Sequence, residues 1–172
     1  MDKMNVITFS ETGHVLGVVT RASQPETAVT VSEVIAASGF RLRDTQGDNI
    51  IVEIPKDEIG VALVDYNHQV IYQPHLYALV DGQPLPIPTA SSVTIALDGI
   101  NITATLPIAV DVDTKISYQV SGGDLSEPIY SSITIEATLL IHMEPLPLSI
   151  GDYNVAIFAP GYALAVFTEP VP

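Results

Sequence analysis

The stretch Gly151-Asp-Tyr-Asn-Val-Ala-Ile-Phe-Ala-Pro-Gly-Tyr-Ala-Leu-Ala-Val-Phe-Thr168 decides how this chain is to be read. Apolar residues alternate with small or polar ones on either side of Ala159-Pro-Gly161, the pattern of two strands joined by a tight turn with one face in a core. On that alternation Val155, Ile157, Leu164 and Val166 are expected to point inward.

Moving toward the N-terminus, the same period continues. Ile129 to Met143 is the longest strand-like run; Thr and Ile alternate at its start, its end is uniformly apolar, and Pro145 and Pro147 stop it. That change of pattern implies a strand covered on both faces at its end. Lys115 to Val120 alternates, and Ser92 to Thr105 reads as a hairpin with Asp98-Gly99 at its turn. Strands recurring at this spacing with turn residues between them argue for a β-sandwich over residues 91–172.

Leu148-Ser-Ile-Gly-Asp-Tyr153-Asn-Val-Ala-Ile157 resembles the Gly-x-Tyr corner of immunoglobulin-like sandwich modules. The resemblance covers about 80 residues of the C-terminal half and lacks the Cys pair and core Trp of antibody domains. It implies an Ig-like sandwich in which Gly151 and Tyr153 form a structural corner, the tyrosine hydroxyl capping backbone near a strand start. It bears on fold and not on function.

Residues 1–83 read as a β-rich unit with one short helix. Asn5–Phe9 and His14–Thr20 form a hairpin around Gly13. Thr30-Val-Ser-Glu33 has capping-box spacing, which predicts a helix over 31–37 ended by Gly39. Strands are expected at Phe40–Arg43 and Asn49–Ile54, then as a pair at 60–66 and 69–72 around Asn67-His68, and last at Leu76–Val80, closed by Asp81-Gly82. Pro84, Pro86 and Pro88 alternate through 84–90. That segment reads as an extended connector between two domains or as an edge strand within one, since proline gives no donor to a ladder.

The bulk numbers exclude several functions. Twenty Asp and Glu against six Lys and Arg give a net charge of −14, and no cation follows Lys115, so nucleic acid and anionic membrane surfaces are poor partners. Charged residues make up 15% of the chain against roughly 25% ordinarily, a first sign that part of the surface is covered by something else. Cysteine is absent, which rules out disulfides and thiolate metal sites and fits a prokaryotic or phage origin. Neither a signal peptide nor an apolar run of membrane-spanning length is seen, so membrane insertion is not expected.

Candidate chemistry is thin. The four histidines, His14, His68, His75 and His142, lack shared metal spacing. Asp111 and Asp113 place two carboxylates on one strand face, with Asp98 in the same half; these are the only hint of Ca²⁺, and an acidic edge explains them as well. No catalytic residue, cofactor or metal site is assigned. Tyr66, Tyr72 and Tyr77 cluster within 12 residues and are the candidate interface anchors. The expectation is an acidic, soluble all-β chain that is a non-enzymatic structural or interaction subunit of a larger particle (phage, phage-tail-like or surface assembly). Its partners would be other protein subunits, with homo-oligomerisation expected, and its setting particle-associated or extracellular. The alternative is a β-sandwich binding module of a bacterial surface protein that takes a glycan or a protein, with or without Ca²⁺.

Overall fold

The computed structural model describes residues 2–20, 27–35, 39–43 and 51–172. It is a mainly antiparallel β protein that divides into two compact units, Met1–Leu42 with Glu53–Pro88 and Arg43–Val52 with Thr89–Pro172. Among the described residues no helix is long and apolar enough to cross a membrane.

The first unit begins with the hairpin of β1 (Lys3–Phe9) and β2 (Val15–Val19). Gly13 turns it at φ 74° against the Leu79 carbonyl, where a Cβ would sit at 2.6 Å. A single turn, α1 (Val31–Val34), follows; Glu33 Oε2 accepts from the Thr30 N–H at 2.7 Å, as the capping spacing predicted. The helix is shorter than expected because Ile35 is already extended, and 36–38 lie outside the described residues. Two short strands, β3 (Phe40–Arg43) and β4 (Ile51–Ile54), pair with each other. The strand β5 (Ile59–Asp65) completes a sheet in the order β2-β1-β5. Met4, Val6, Val15, Val64, Val70 and Tyr77 form the core beneath it.

Residues 69–72, expected as a strand, belong instead to the helix α2 (His68–Tyr72). The cause is Asn67, whose side-chain oxygen accepts the Gln69 N–H at 2.9 Å and so satisfies a first-turn donor. The proline segment takes the edge-strand alternative over Gln83–Pro86. After β6 (Tyr77–Val80), a two-residue turn with positive φ at both Asp81 and Gly82 leads into β7 (Gln83–Pro86), which pairs with β6. The Ile87 N–H donates to the Leu76 carbonyl, so odd-numbered residues face the partner strand and Pro84 and Pro86 face outward. Proline at alternate positions thus costs this edge strand no hydrogen bond.

In the second unit β8 (Thr89–Ser92) leads to β9 (Thr94–Leu97) and β10 (Asn101–Thr105), a hairpin turned at Asp98-Gly99. Then come β11 (Thr114–Gly122), β12 (Ile129–Ile135), β13 (Ile141–Pro145) and β14 (Gly151–Phe158). The chain ends with β15 (Tyr162–Ala163) and β16 (Ala165–Val171). Two antiparallel sheets result, β13-β10-β9 and β12-β11-β14-β16, while β15 pairs in parallel with β8. Their inner faces share one core, with Ile95, Leu97, Ile102 and Ala104 from the first sheet and Ile116, Val120, Ile133, Val155 and Ile157 from the second. The chain crosses between sheets after β10, β12 and β13, so this is a Greek-key sandwich.

Two expectations fail here. The last strand is one residue out of the expected register: Val155 pairs with Phe167 and Ile157 with Ala165, and Phe167 and Ala165, not Leu164 and Val166, pack on the core. The Ala-Pro-Gly turn is followed by Tyr162-Ala163, which pairs elsewhere, and a one-residue slip exchanges the faces of a strand. The run 129–143 is not one strand covered on both sides. A turn with Thr138 at φ 70° splits it into β12 and β13, and its apolar end is exposed.

Candidate functional site

The strand β13 is inverted. Its pairing sets His142 opposite Ala104 and Glu144 opposite Ile102, and both partners are fully buried core residues. His142 and Glu144 therefore lie on the inner side of the sheet, while Ile141 (56% exposed) and Met143 (57%) point to solvent. What holds this register is Tyr118, a core residue of β11 whose hydroxyl donates to Glu144 Oε1 at 2.9 Å. Burial pushes the Tyr118 pKa up to about 12, which keeps the donor protonated.

The energetics give the arrangement no net gain in the isolated chain. Full burial of an aliphatic side chain yields about 1.5–3 kcal/mol, so two left more than half exposed forgo a comparable amount. A hydrogen bond to a charged group returns about 1.5–3 kcal/mol. A solvated strand face would more cheaply carry polar residues. The outward positions of the whole sheet lack charge: Thr94 and Ala96 on β9, Asn101, Thr103 and Thr105 on β10, and Ile141, Met143 and Pro145 on β13.

Adjoining this face, the β10–β11 and β12–β13 loops are tied together. The Leu106 N–H donates to the Leu140 carbonyl and the Thr138 N–H to the Val110 carbonyl, both at 2.8 Å, and the Ala137 N–H donates to Asp113 Oδ1 at 2.9 Å. The Tyr162 hydroxyl, from the β14–β16 connection, donates to the Ile108 carbonyl. These bonds hold Ile108, Val112, Leu139 and Leu140 outward, all of them exposed. The result is an aliphatic patch continuous in sequence with the outer side of β13.

The residues expected to carry function lie elsewhere. Tyr66 and Tyr72 are exposed, Tyr72 at 70%, with its ring centroid 4.4 Å from that of His68 and tilted 51° to it. Tyr77 is only 7% exposed in the first core, its hydroxyl donating to Gln69 Oε1. Its position opens β6, whose inner face the core claims. His75 is exposed; His14 is buried, its Nδ1 2.6 Å from the Thr12 hydroxyl. Asp98 does not join Asp111 and Asp113, since they lie beyond opposite ends of β10. Its Oδ1 accepts the Ile100 and Asn101 N–H groups of its own turn at 2.8 and 2.6 Å, and these bonds, Asn101 foremost, hold its pKa below the usual carboxylate value. Among the described residues no group of three or more His, Asp or Glu side chains converges as a metal ion requires.

Tyr153 is fully buried near the start of β14. Its hydroxyl lies 2.9 Å from the Ser149 carbonyl oxygen and 3.1 Å from Asp124 Oδ1, both acceptors for its single proton. Burial first, and the Asp124 carboxylate second, raise its pKa; bonds from the Ser149 side chain and then from Tyr153 lower that of Asp124. Gly151 opens β14 and Gly123 lies flat against the Tyr153 ring. This constellation fastens three segments of the second unit.

The exposed patch was missed in the sequence because uniform apolarity over Leu139–Met143 reads as burial. The available signal was His142 and Glu144 alternating with Ile141 and Met143, with Pro145 at the end. No protein-family model matches this sequence, and no curated protein matches it.

Proposed function

We propose that the chain is a non-enzymatic protein-interaction subunit, which docks through the aliphatic outer face of its second unit onto another protein chain in a larger assembly. The observation that carries this reading is the inverted strand β13, which turns Ile141 and Met143 to solvent and keeps Glu144 inside. The large exposed side chains of the patch are aliphatic, which favours a protein partner over a sugar, for which stacking aromatics would be expected. The low charge density supports the same reading. The setting we infer is a particle of the phage, phage-tail-like or surface kind, by analogy with the β-modules such assemblies use.

We also assign the second unit to the Ig-like sandwiches. Supporting this are the three-plus-four sheet arrangement, the three crossings between sheets, and Tyr153 bonding back to the carbonyl four residues upstream.

The test is a photo-crosslinking side chain placed at Met143 in the cells that make the protein, with the exposed turn residue Asp81 as control site. A discrete adduct at 143 that is missing at 81 supports docking through this face. Equal labelling at both sites, or none, refutes it.

A further inference from the structure

We infer that the partner of β13 is a second copy of this chain, paired edge to edge through β13 about a two-fold axis at His142. The inference rests on the interaction reading above and names its partner.

The first argument is charge. A chain of net charge −14 repels its own copy over most approaches, yet the outward positions of β9, β10 and β13 carry no ionisable side chain. A cationic partner would find its counter-charges elsewhere on the surface; a strongly acidic copy can approach only where the joint and the positions flanking it are uncharged. A second copy meets that condition by construction.

The second argument is the free edge. Among the described residues β13 pairs only with β10. The Leu146 N–H donates to the Ile100 carbonyl and the Leu106 N–H to the Leu140 carbonyl, so the even-numbered residues of β13 face β10. The main-chain groups of Ile141 and Met143 consequently face away from β10, along the open edge. Edges of this kind are usually guarded by Lys, proline or inward charge. Here Pro145 and the inward Glu144 guard only the C-terminal end, leaving Ile141 to Met143 open.

The geometry then selects one register. Antiparallel pairing of two copies with Ile141 opposite Met143 of the other copy uses both outward N–H groups of each chain, giving four inter-chain hydrogen bonds. Centring on Met143 would set Ile141 against Pro145, which has no donor. In the favoured register the two His142 residues are directly opposite, and each Ile141 lies against the other copy's Met143 on the outer face. Leu139 and Leu140 flank the joint. Such a contact sits at the small end of specific interfaces, below about 1,200 Å² in total, so a micromolar dimer is expected.

The test uses the full chain, which has no cysteine of its own. Sedimentation velocity over a concentration series should show a monomer–dimer equilibrium. Replacing the two exposed residues together, Ile141→Lys with Met143→Lys, should weaken it at least about tenfold, because lysines then face one another across the joint. In a separate variant, His142→Cys should give a covalent dimer under mild oxidation. Opposed residues of a non-hydrogen-bonded pair stand about 4.5–5.5 Å apart at Cβ, near the span of a disulfide. Thr94→Cys, on the far edge of the same sheet, should not. A wild-type chain that stays monomeric at every concentration overturns the inference. So does a dimer indifferent to the lysines, or a His142→Cys variant that crosslinks no faster than Thr94→Cys. If the wild type is monomeric but Met143 crosslinks to a different protein, the interaction reading stands and only the second copy is lost.

Discussion

Gly123 and Gly161 allow one packing contact to be weighed by itself. Both hold positive φ, +56° and +80°, so an alanine at either meets a similar backbone penalty of about 1–2 kcal/mol. They differ in what a Cβ would touch. At Gly161 nothing lies within 4 Å, whereas at Gly123 the added carbon would fall 2.4 Å from Cε1 and Cζ and 2.7 Å from the hydroxyl of Tyr153. Ordinary contact begins at 3.4 Å, so the ring must move, and it cannot move without lengthening its bonds to Ser149 and Asp124. Overpacking costs about 1–3 kcal/mol and a lost hydrogen bond about 1 kcal/mol. Gly161→Ala should therefore cost about 1–2 kcal/mol and Gly123→Ala about 3–6 kcal/mol. Urea unfolding followed by far-ultraviolet circular dichroism measures both, with an unchanged slope as the check that only stability moved. Losses equal to within about 0.5 kcal/mol would refute the view that Tyr153 is clamped from this side.

Two further predictions concern pH. Asp98 and Asp124 have folded-state pKa values lowered by hydrogen bonds, below an unfolded value of about 3.9. Their stabilisation is full above that value and lost as pH falls from it through the lower folded values, so the decline of Tm below about pH 4 should be shallower in Asp98→Asn and Asp124→Asn. An unaltered acid slope in both variants refutes this. Tyr118 runs the other way: with its pKa raised from 10.0 to about 12, its contribution holds below about pH 10 and fades between 10 and 12. Allowing for a hydroxyl that is only part-buried, the loss is about 1–2 kcal/mol, and Tyr118→Phe should abolish that alkaline decline of Tm. A variant that declines as steeply as the wild type would show that another group titrates there.

How far the sequence could be read depended on whether the deciding interaction was local. Asp98-Gly99 and Asp81-Gly82 state their turns in two residues, because positive φ is a property of the residue itself. Thr30 and Glu33 announce a helix start, and Tyr153 lies 2.9 Å from a carbonyl only four residues away. By contrast, Asn67 converts an apparent strand into a helix with one side-chain bond, and a tool as coarse as alternation does not weigh it. The register of β16 depends on Tyr162-Ala163 pairing with β8, at the far end of the second unit's sequence, which no reading of the turn alone reveals.

The strand β13 shows a deeper limit. Hydrophobic periodicity assumes that apolar residues face their own core, and that assumption fails where a second protein, not the chain itself, removes the surface from water. On the docking reading proposed above, Leu139 to Met143 looks like interior because it is interior, but to an assembly. The internal evidence for that is Glu144. A register shift of one residue would bury Ile141 and Met143, yet it would carry Glu144 away from the Tyr118 hydroxyl at 2.9 Å and leave a buried phenol without that partner. One polar pair inside thus fixes which side of the strand is apolar outside. The same bond that orders the fold of the second unit also sets the face it presents, so Tyr118→Phe with Glu144→Leu should loosen the register and the docking surface together. Tyr153→Phe, which removes only the bonds to Ser149 and Asp124, should leave docking intact. Crosslinking from Met143 reads both variants, and an adduct that survives the first as fully as the second would break the link between the buried pair and the outer face.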